Sequence, residues 1–230
     1  VLFMTNKCEA QVIIYGAGKT AAVLTQYIEA SGAKVVAFTL ELDFKQSEAF
    51  LERPLVEFES LNESYPPSEY QIIIAVGYHD MNQQRQRIYE QCKDKGYTIA
   101  SYVHPSVTYF DSEQIGEGSI ILDHVTLQPG ASVGFNSCIW SNSVVAHGSK
   151  VQSHCWIAAG SVVGGDVTIG SHCFLGVNAT IGHNVELGNG TFVGANTLVS
   201  KNTDDNSTVI SAEGEKIRLN SQQFMTFAKL

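Results

Sequence analysis

The chain has 230 residues, 44% hydrophobic and 16% charged, so it can bury a core and is too apolar for a disordered chain. Its net charge of −9 argues against general nucleic-acid binding. No apolar run approaches the ~18 residues of a membrane span and no signal peptide is recognisable, which predicts a cytoplasmic protein without a membrane or nucleic-acid partner. Five cysteines lack a Cys-x-x-Cys pair and are interpreted as reduced thiols: Cys8, Cys92, Cys138, Cys155 and Cys173.

Strands and helices alternate along the first hundred residues. The apolar pattern predicts strands over 12–15, 35–38 and 72–76, with helices over 19–30 and 82–95. Such an alternation implies a small parallel sheet. We assign residues 1–102 to a Rossmann-like α/β domain.

A glycine-rich turn joins the first strand to the first helix of that domain. Gly16-Ala17-Gly18-Lys19-Thr20-Ala21 fits G-x-G-x-x-A, in which backbone amides approach a pyrophosphate at a helix N-terminus. Glu41 and Asp43 follow the second strand, where a ribose or a base would be contacted. A tight turn that needs glycine without any ligand remains the alternative. A nucleoside-triphosphatase loop is rejected, because position 13 is isoleucine where that motif needs glycine.

From residue 115 the chain repeats in blocks of six. All fifteen blocks from Ile115 to Val199 begin with an aliphatic residue, glycine follows in eight of them, and the fifth residue is usually small. The pattern predicts a parallel β-helix of about five 18-residue coils, with the aliphatic residue inside and the glycine relaxing the backbone at the corner. We assign it to residues 103–204. In the tail, 205–230, Phe224 and Phe227 predict packing on the prism or on a neighbouring subunit.

The place of each histidine in its six-residue block predicts where its side chain points. His147 is the third residue of its block and therefore lies at an exposed corner, which Gly165 and His183 share 18 and 36 residues later. In the two Ser-His-Cys segments, 153–155 and 171–173, histidine points outward and cysteine inward, so they are not expected to chelate a metal. The histidines of these segments are interpreted as polar corner residues.

Several segments together resemble one family. Asn142 and His147, spaced as Asn-x-x-x-x-His at a prism corner behind a Rossmann-like domain, resemble the hexapeptide-repeat sugar acyltransferases of the sialic acid O-acetyltransferase and bacillosamine-pathway N-acetyltransferase type. The resemblance covers roughly residues 10–204 and implies a left-handed β-helix and a homotrimer. The other matching segments are Ala75-Val76-Gly77 before a helix, Gly96-Tyr97, Val103-His104-Pro105-Ser106, Gly176-Val177-Asn178-Ala179-Thr180 and Gly194-Ala195-Asn196-Thr197.

The resemblance also implies an activity. Acetyl-CoA would acetylate the amino group of a dideoxy sugar linked to dTDP or UDP, for surface-glycan biosynthesis, with His147 as general base, no metal, and a corner amide such as that of Gly165 at the oxyanion. Expected nucleotide-sugar contacts are Gly16, Ala17, Gly18, Lys19, Glu41, Asp43 and Gly77. Expected acetyl-CoA contacts are Trp156, Gly165, Asn178, His183, Gly194, Ala195 and Lys201.

Two departures from the family leave alternatives open. Gly148 stands where relatives often carry an acidic residue or a histidine, and Trp156 where they often carry a second histidine, so the partner that orients His147 is unidentified. A sugar O-acetyltransferase and a non-catalytic nucleotide-sugar-binding protein are the alternatives. A γ-class carbonic anhydrase is disfavoured, because positions 152 and 188 are glutamine and glycine where that family needs histidine.

Overall fold

The computed structural model describes residues 2–3, 11–111 and 114–228. Its N-terminal sheet contains β2 (Gln11–Tyr15), β3 (Lys34–Leu40), β4 (Ala49–Phe50), β5 (Arg53–Glu57), β6 (Gln71–Ile74) and β7 (Thr98–Ile99). The strand order is β4–β5–β3–β2–β6–β7, and only the β4–β5 pair is antiparallel. Three helices and a 3₁₀ turn connect the strands: α1 (Lys19–Ala30), α2 (Leu61–Ser64), α3 (Gln83–Asp94) and Leu42–Phe44. The predicted parallel sheet is confirmed.

The sheet lies between α1 and α3. Helix α1 buries Ala21, Leu24 and Ile28 on one stripe, as the i, i+3, i+7 spacing predicts, against one face of the sheet. Helix α3 buries Ile88 and Cys92 against the other face. The glycine turn is therefore held between a buried strand and an anchored helix.

The C-terminal part is a triangular prism of three parallel sheets. The first face contains β1 (Leu2–Phe3), β8 (Ser101–Val103), β9 (Ile120–Ile121), β12 (Cys138–Ile139), β15 (Trp156–Ile157), β18 (Phe174–Leu175), β21 (Phe192–Val193) and β23 (Thr208–Val209). The second contains β10 (Thr126–Leu127), β13 (Val144–Val145), β16 (Val162–Val163), β19 (Thr180–Ile181) and β22 (Leu198–Val199). The third contains β11 (Ser132–Val133), β14 (Lys150–Val151), β17 (Thr168–Ile169) and β20 (Glu186–Leu187).

Stacked positions in the prism are 18 residues apart, as the six-residue period predicts. Val145 pairs with Val163 and Ile139 with Ile157, and the aliphatic residues form the buried column inside. The small fifth residue has a polar role as well, because the Ser149 hydroxyl donates to the Gly164 carbonyl of the next coil at 2.6 Å. The first face extends to β23, beyond residue 204.

The predicted reason for the repeated glycines is wrong. Every sixth residue from Gly118 to Asn196 has a positive φ, and this is the fourth residue of each block, where asparagine, histidine, aspartate or glycine stands. The glycines at the second position have ordinary φ values. Most of them are needed for space: a Cβ on Gly164 or Gly176 would lie within 3.0 Å of backbone atoms in the next coil.

The first face packs against the N-terminal domain. Trp156 and Phe174 lie with Val12, Ile14 and Leu24 in one hydrophobic cluster. The Tyr27 hydroxyl of α1 also donates to Asp123 of the prism at 2.5 Å. The two domains of one chain therefore share a core, and only the second and third faces are left uncovered by the N-terminal domain.

The tail ends in helix α4 (Ser221–Ala228). Phe224 and Phe227 are exposed, the latter by 77%, so the expected packing on the chain's own prism does not occur. Packing on a neighbouring subunit stays a prediction. In the described ranges, no helix has the length and apolarity needed to cross a bilayer.

Candidate active site

A cavity of about 600 Å³ opens at the carboxyl ends of β2, β3 and β6. Ligands of open α/β sheets bind at this edge, because the loops that follow the strands converge there. The cavity is lined by Tyr15, Gly16, Ala17, Gly18, Lys19, Thr20, Leu40, Glu41, Phe44, Ala75, Val76, Gly77, Tyr78, His79 and Gln84. Six of the seven residues predicted to bind a nucleotide sugar are among them.

The two glycines of the turn have different roles. Gly16 has φ +131°, and a Cβ there would lie 2.8 Å from the Ala75 carbonyl oxygen, so the fold itself requires this glycine. Gly18 has an extended backbone, and no other atom lies within 4 Å of the position a Cβ would take. It precedes α1, whose first intrahelical bond runs from the Ala22 amide to the Gly18 carbonyl. The earlier amides of the helix are therefore available to an anion in the cavity.

Only one of the two acidic residues predicted to contact the nucleotide sugar lines the cavity. Glu41 lines the cavity, and its carboxylate accepts hydrogen bonds from Arg87 at 3.3 Å and Gln91 at 3.4 Å. Asp43 lies in the 3₁₀ turn and does not line the cavity, because the turn brings Phe44 to that wall instead. The aromatic ring of Phe44 was not predicted.

A fully buried arginine supports the wall formed after β6. Arg85 of α3 donates to the carbonyl oxygens of Ile74 at 3.1 Å and Val76 at 2.9 Å. Its other terminal nitrogen donates to Asn136 Oδ1 of the prism at 3.0 Å. None of these three acceptors is a carboxylate. The three hydrogen bonds therefore compensate the cost of burying the guanidinium charge. Arg85 connects the cavity wall to the prism, and no sequence motif indicates this role beyond its place on the buried stripe of α3.

His147 lies on the corner between the second and third faces, here called the His147 corner and defined by Gln128, His147, Gly165, His183 and Lys201. The His147 side chain is 59% exposed, as predicted. Its backbone amide donates to Gln128 Oε1 at 3.0 Å, and its Nδ1 lies 3.4 Å from the same oxygen. Gln128 is therefore the partner that the sequence left unidentified. It belongs to the preceding coil, 19 residues earlier.

Gly165 lies directly beneath the His147 ring. A Cβ at this position would lie 2.6 Å from Cε1 and Nε2 of His147. The Gly165 amide donates to His183 Nδ1 at 2.9 Å. This amide is already paired, so the idea that it stabilises an oxyanion is wrong for this conformation.

An acidic side chain reaches His147 from the next coil. Asp166 Oδ2 lies 4.0 Å from His147 Nε2, and the other carboxylate oxygen occupies the space that a Cβ on residue 148 would need. The glycine at 148, where relatives often have an acidic residue, thus leaves room for a carboxylate that comes from residue 166.

The residues predicted to bind acetyl-CoA fall into two groups and one exception. Gly165, His183 and Lys201 belong to the His147 corner. Asn178, Gly194 and Ala195 lie on the corner between the first and second faces, so the two groups border the second face. The exception, Trp156, is 5% exposed and packs against Trp140 and Tyr78 in the core between the domains. That burial leaves its side chain little surface for a coenzyme, so Trp156 is not part of the candidate site.

The stacked histidines have a different environment from the one expected. His154 and His172 point outward while their cysteine neighbours point inward, as predicted, and their rings stack at 5.0 Å. His154 is only 5% exposed, however, because α3 covers it. Burial, with His172 and Arg85 nearby, lowers its pKa to about 4. Within the described ranges, no three His, Cys, Asp or Glu side chains cluster as metal ligands would.

Family models match both domains. Residues 11–92 match the PglD N-terminal domain, and residues 148–183 and 168–201 match the bacterial transferase hexapeptide repeat. The chain therefore combines a PglD-type N-terminal domain with a hexapeptide-repeat domain of the bacterial transferase type. Its prism has the fold of the left-handed β-helix acetyltransferases, and the solved structures that it resembles include sugar N-acetyltransferases with CoA or acetyl-CoA bound. A search of curated proteins found no match.

Solved structures resemble the whole two-domain arrangement. A histidine-to-alanine variant of GDP-perosamine N-acetyltransferase from Caulobacter crescentus, in complex with CoA and GDP-perosamine, is 27% identical with a TM-score of 0.79, covering 88% of this chain and 93% of that one. The acetyltransferase domain of PglB from Neisseria gonorrhoeae, in complex with acetyl coenzyme A, is 22% identical with a TM-score of 0.79, covering 88% and 97%. WeeI from Acinetobacter baumannii is 18% identical with a TM-score of 0.73, covering 88% and 97%. The last two show the fold alone.

Proposed function

We propose that this enzyme transfers the acetyl group of acetyl-CoA to the amino group of a nucleotide-linked amino sugar, for surface-glycan biosynthesis. The observation that carries the proposal is the exposed His147 imidazole, held by Gln128 on a corner of a hexapeptide prism. The cavity beside Gly18 and the N-terminus of α1 supports binding of the sugar's diphosphate. The relative at 27% identity was solved with the same two ligand classes.

The position of the cavity supports a site shared between subunits. The N-terminal domain covers the first face of its own prism, whereas the His147 corner joins the other two faces and lies opposite. A sugar bound in the cavity is therefore separated from His147 of the same chain by the prism. We propose a homotrimer in which the cavity of one chain faces the His147 corner of the next, with acetyl-CoA in the groove. Val162 and Leu198, exposed on the second face, support such packing.

His147 acts in this proposal as the general base. The neutral sugar amine attacks the thioester carbonyl carbon, the new C–N bond forms, and His147 Nε2 takes the proton that the nitrogen loses. Collapse of the tetrahedral intermediate breaks the C–S bond, and the sulfur leaves as the thiol of CoA by taking that proton from the His147 imidazolium, which regenerates the neutral base. Histidine suits both transfers because its ordinary pKa lies near neutral pH.

The proposal is tested by thiol release from acetyl-CoA with amino sugars linked to dTDP, UDP and GDP. We expect turnover with an amino sugar, preferentially one linked to dTDP or UDP, and a product whose mass and fragmentation show an N-acetyl group. An O-acetyl product would indicate the sialic acid type of reaction. Binding of the sugar nucleotide without turnover would indicate a non-catalytic protein.

The role of His147 has its own test. Replacing it with alanine leaves the inward aliphatic column intact, so the protein should fold and bind both substrates. Turnover should fall by about 10²- to 10⁴-fold, the usual contribution of general-base catalysis. Near-wild-type turnover at saturating substrates would show that His147 is not the base.

A further inference from the structure

The Gln128 side chain determines which nitrogen of His147 carries the proton. The backbone amide of His147 is a donor, so the atom 3.0 Å away must be the carbonyl oxygen of the Gln128 side chain and not its NH₂ group. That same oxygen is the one 3.4 Å from Nδ1. An oxygen facing Nδ1 favours a proton on Nδ1, because two lone pairs would otherwise face each other. Nε2 is then left unprotonated, on a side chain that is 59% exposed.

Two coils along the same corner, the opposite arrangement holds His183. The backbone amide of Gly165 donates to His183 Nδ1 at 2.9 Å, so this nitrogen must be an acceptor. The proton of the neutral ring is then on Nε2, and the exposed edge of His183 presents an N–H donor. Neither assignment depends on how a side-chain amide was oriented, because a backbone amide is the reference in both cases.

We propose that the His147 corner fixes its two histidines in opposite tautomers, with Gln128 as the positioning residue that makes His147 Nε2 the base and with His183 Nε2–H as a donor to a carbonyl oxygen of the pantetheine arm of acetyl-CoA. The proposal rests on the function proposed above. Two coils of about 4.8 Å each separate the two rings by about 10 Å along the corner. An arm lying along the corner, with its thioester at His147, would pass His183 at that distance.

Asp166 fits this assignment from the other side of the His147 ring. Its carboxylate oxygen, 4.0 Å from Nε2, is too distant to accept a hydrogen bond from that nitrogen in the resting enzyme. Once Nε2 has taken the proton of the amine, the carboxylate is a nearby negative charge that stabilises the imidazolium. The proton therefore moves from the attacking nitrogen to Nε2, while the proton on Nδ1 stays on the hydrogen bond to Gln128.

The tautomers are directly observable by long-range ¹H–¹⁵N NMR of the ¹⁵N-histidine-labelled full-length protein at pH about 8, where an ordinary imidazole is neutral. Spectra of His147→Ala and His183→Asn assign the two rings. We expect the proton of His147 on Nδ1 and that of His183 on Nε2. In Gln128→Ala the His147 signals should shift toward the other tautomer, and kcat should fall about 10- to 100-fold, as for other partners that orient a functional histidine. The KM for acetyl-CoA should stay near wild type.

Two conservative variants separate positioning from structure. Gln128→Glu keeps an oxygen opposite Nδ1 and should restore the Nδ1–H tautomer and most of kcat. His183→Asn keeps an acceptor for the Gly165 amide but lacks the outer N–H, so it should raise the KM for acetyl-CoA and change kcat little.

Different outcomes overturn different statements. A wild-type spectrum with the His147 proton on Nε2, or a Gln128→Ala enzyme with wild-type kcat, overturns the positioning role while an inactive His147→Ala variant still supports the base. An active His147→Ala variant overturns the proposed base itself. A His183→Asn variant with unchanged KM for acetyl-CoA overturns the donor role of His183.

Discussion

Replacing Gly165 with alanine displaces the His147 ring without altering any group that reacts. The new Cβ would lie 2.6 Å from Cε1 and Nε2 of His147, whereas ordinary contact begins near 3.4 Å, so the ring must move by about 0.8 Å (3.4 − 2.6). The ring is 59% exposed and can swing outward, which keeps the cost in folding free energy small. A misplacement of about 1 Å in an active site can cost about 100-fold in rate. We expect kcat to fall about 10- to 100-fold.

The assay compares Gly165→Ala with a matched glycine in the next coil. Gly182→Ala adds the same methyl group to the same corner, but its nearest neighbour, the Val199 carbonyl oxygen, is 3.4 Å away, an ordinary contact. Thiol release at saturating substrates should therefore fall for Gly165→Ala and stay near wild type for Gly182→Ala, with little change in either melting temperature. Equal rates for the two variants would refute the reasoning.

Three further predictions concern the cavity and the assembly. The folded chain has open space for a side chain at residue 18, so Gly18→Val should raise the KM for the sugar nucleotide and leave CoA affinity near wild type. If calorimetry shows lost CoA binding and intact sugar-nucleotide binding, the two ligands are assigned to the wrong domains. Arg85→Met should lower the free energy of unfolding by about 3 kcal/mol, because three buried acceptors lose their donor, and should weaken sugar-nucleotide binding more than CoA binding. Light scattering should give three times the 25.0 kDa chain mass, and a monomer would contradict a shared site.

The prism was predictable because the six-residue repeat determines the register between neighbouring coils. A six-residue period fixes which residues stack, so the exposure of His147 and its corner with Gly165 and His183 followed from counting. The N-terminal sheet was predictable where strands are buried and apolar. Strand β5 was missed because it contains Pro54, a residue that usually argues against a strand interior.

The features that could not be predicted from the sequence depend on contacts between residues that are far apart in the chain. Trp156 was predicted to contact acetyl-CoA because its six-residue block contains no signal that the chain's own N-terminal domain covers it. Gln128 went unnoticed because its residue number differs from that of His147 by one coil plus one residue, so simple stacking does not pair them. The second-position glycines were explained by conformation, whereas the backbone of the next coil leaves no space for a Cβ.

The buried His154 makes stability depend on pH. Its Nδ1 lies 2.9 Å from the side-chain NH₂ of Asn136, whose oxygen already accepts from Arg85, so Nδ1 must be an acceptor and the ring neutral. Burial, with His172 and Arg85 nearby, lowers the pKa of His154 to about 4 from the ordinary value of 6.5. Between these values the unfolded chain binds a proton that the folded chain does not, so stability falls as the pH falls from about 6.5 toward 4.

The two pKa values set the size of the effect, which is about 2 kcal/mol of lost stability at pH 5 relative to pH 7.5. His154→Asn should abolish that part of the loss, because asparagine does not titrate, keeps an acceptor for Asn136, and tolerates the φ of +60° at this position. His124→Asn is the matched control, since His124 has the same place in its block and a φ of +56° but is exposed. Denaturant unfolding at both pH values and one fixed chain concentration measures the difference. If His154→Asn loses as much stability between pH 7.5 and pH 5 as wild type and His124→Asn do, the buried neutral histidine is not the cause.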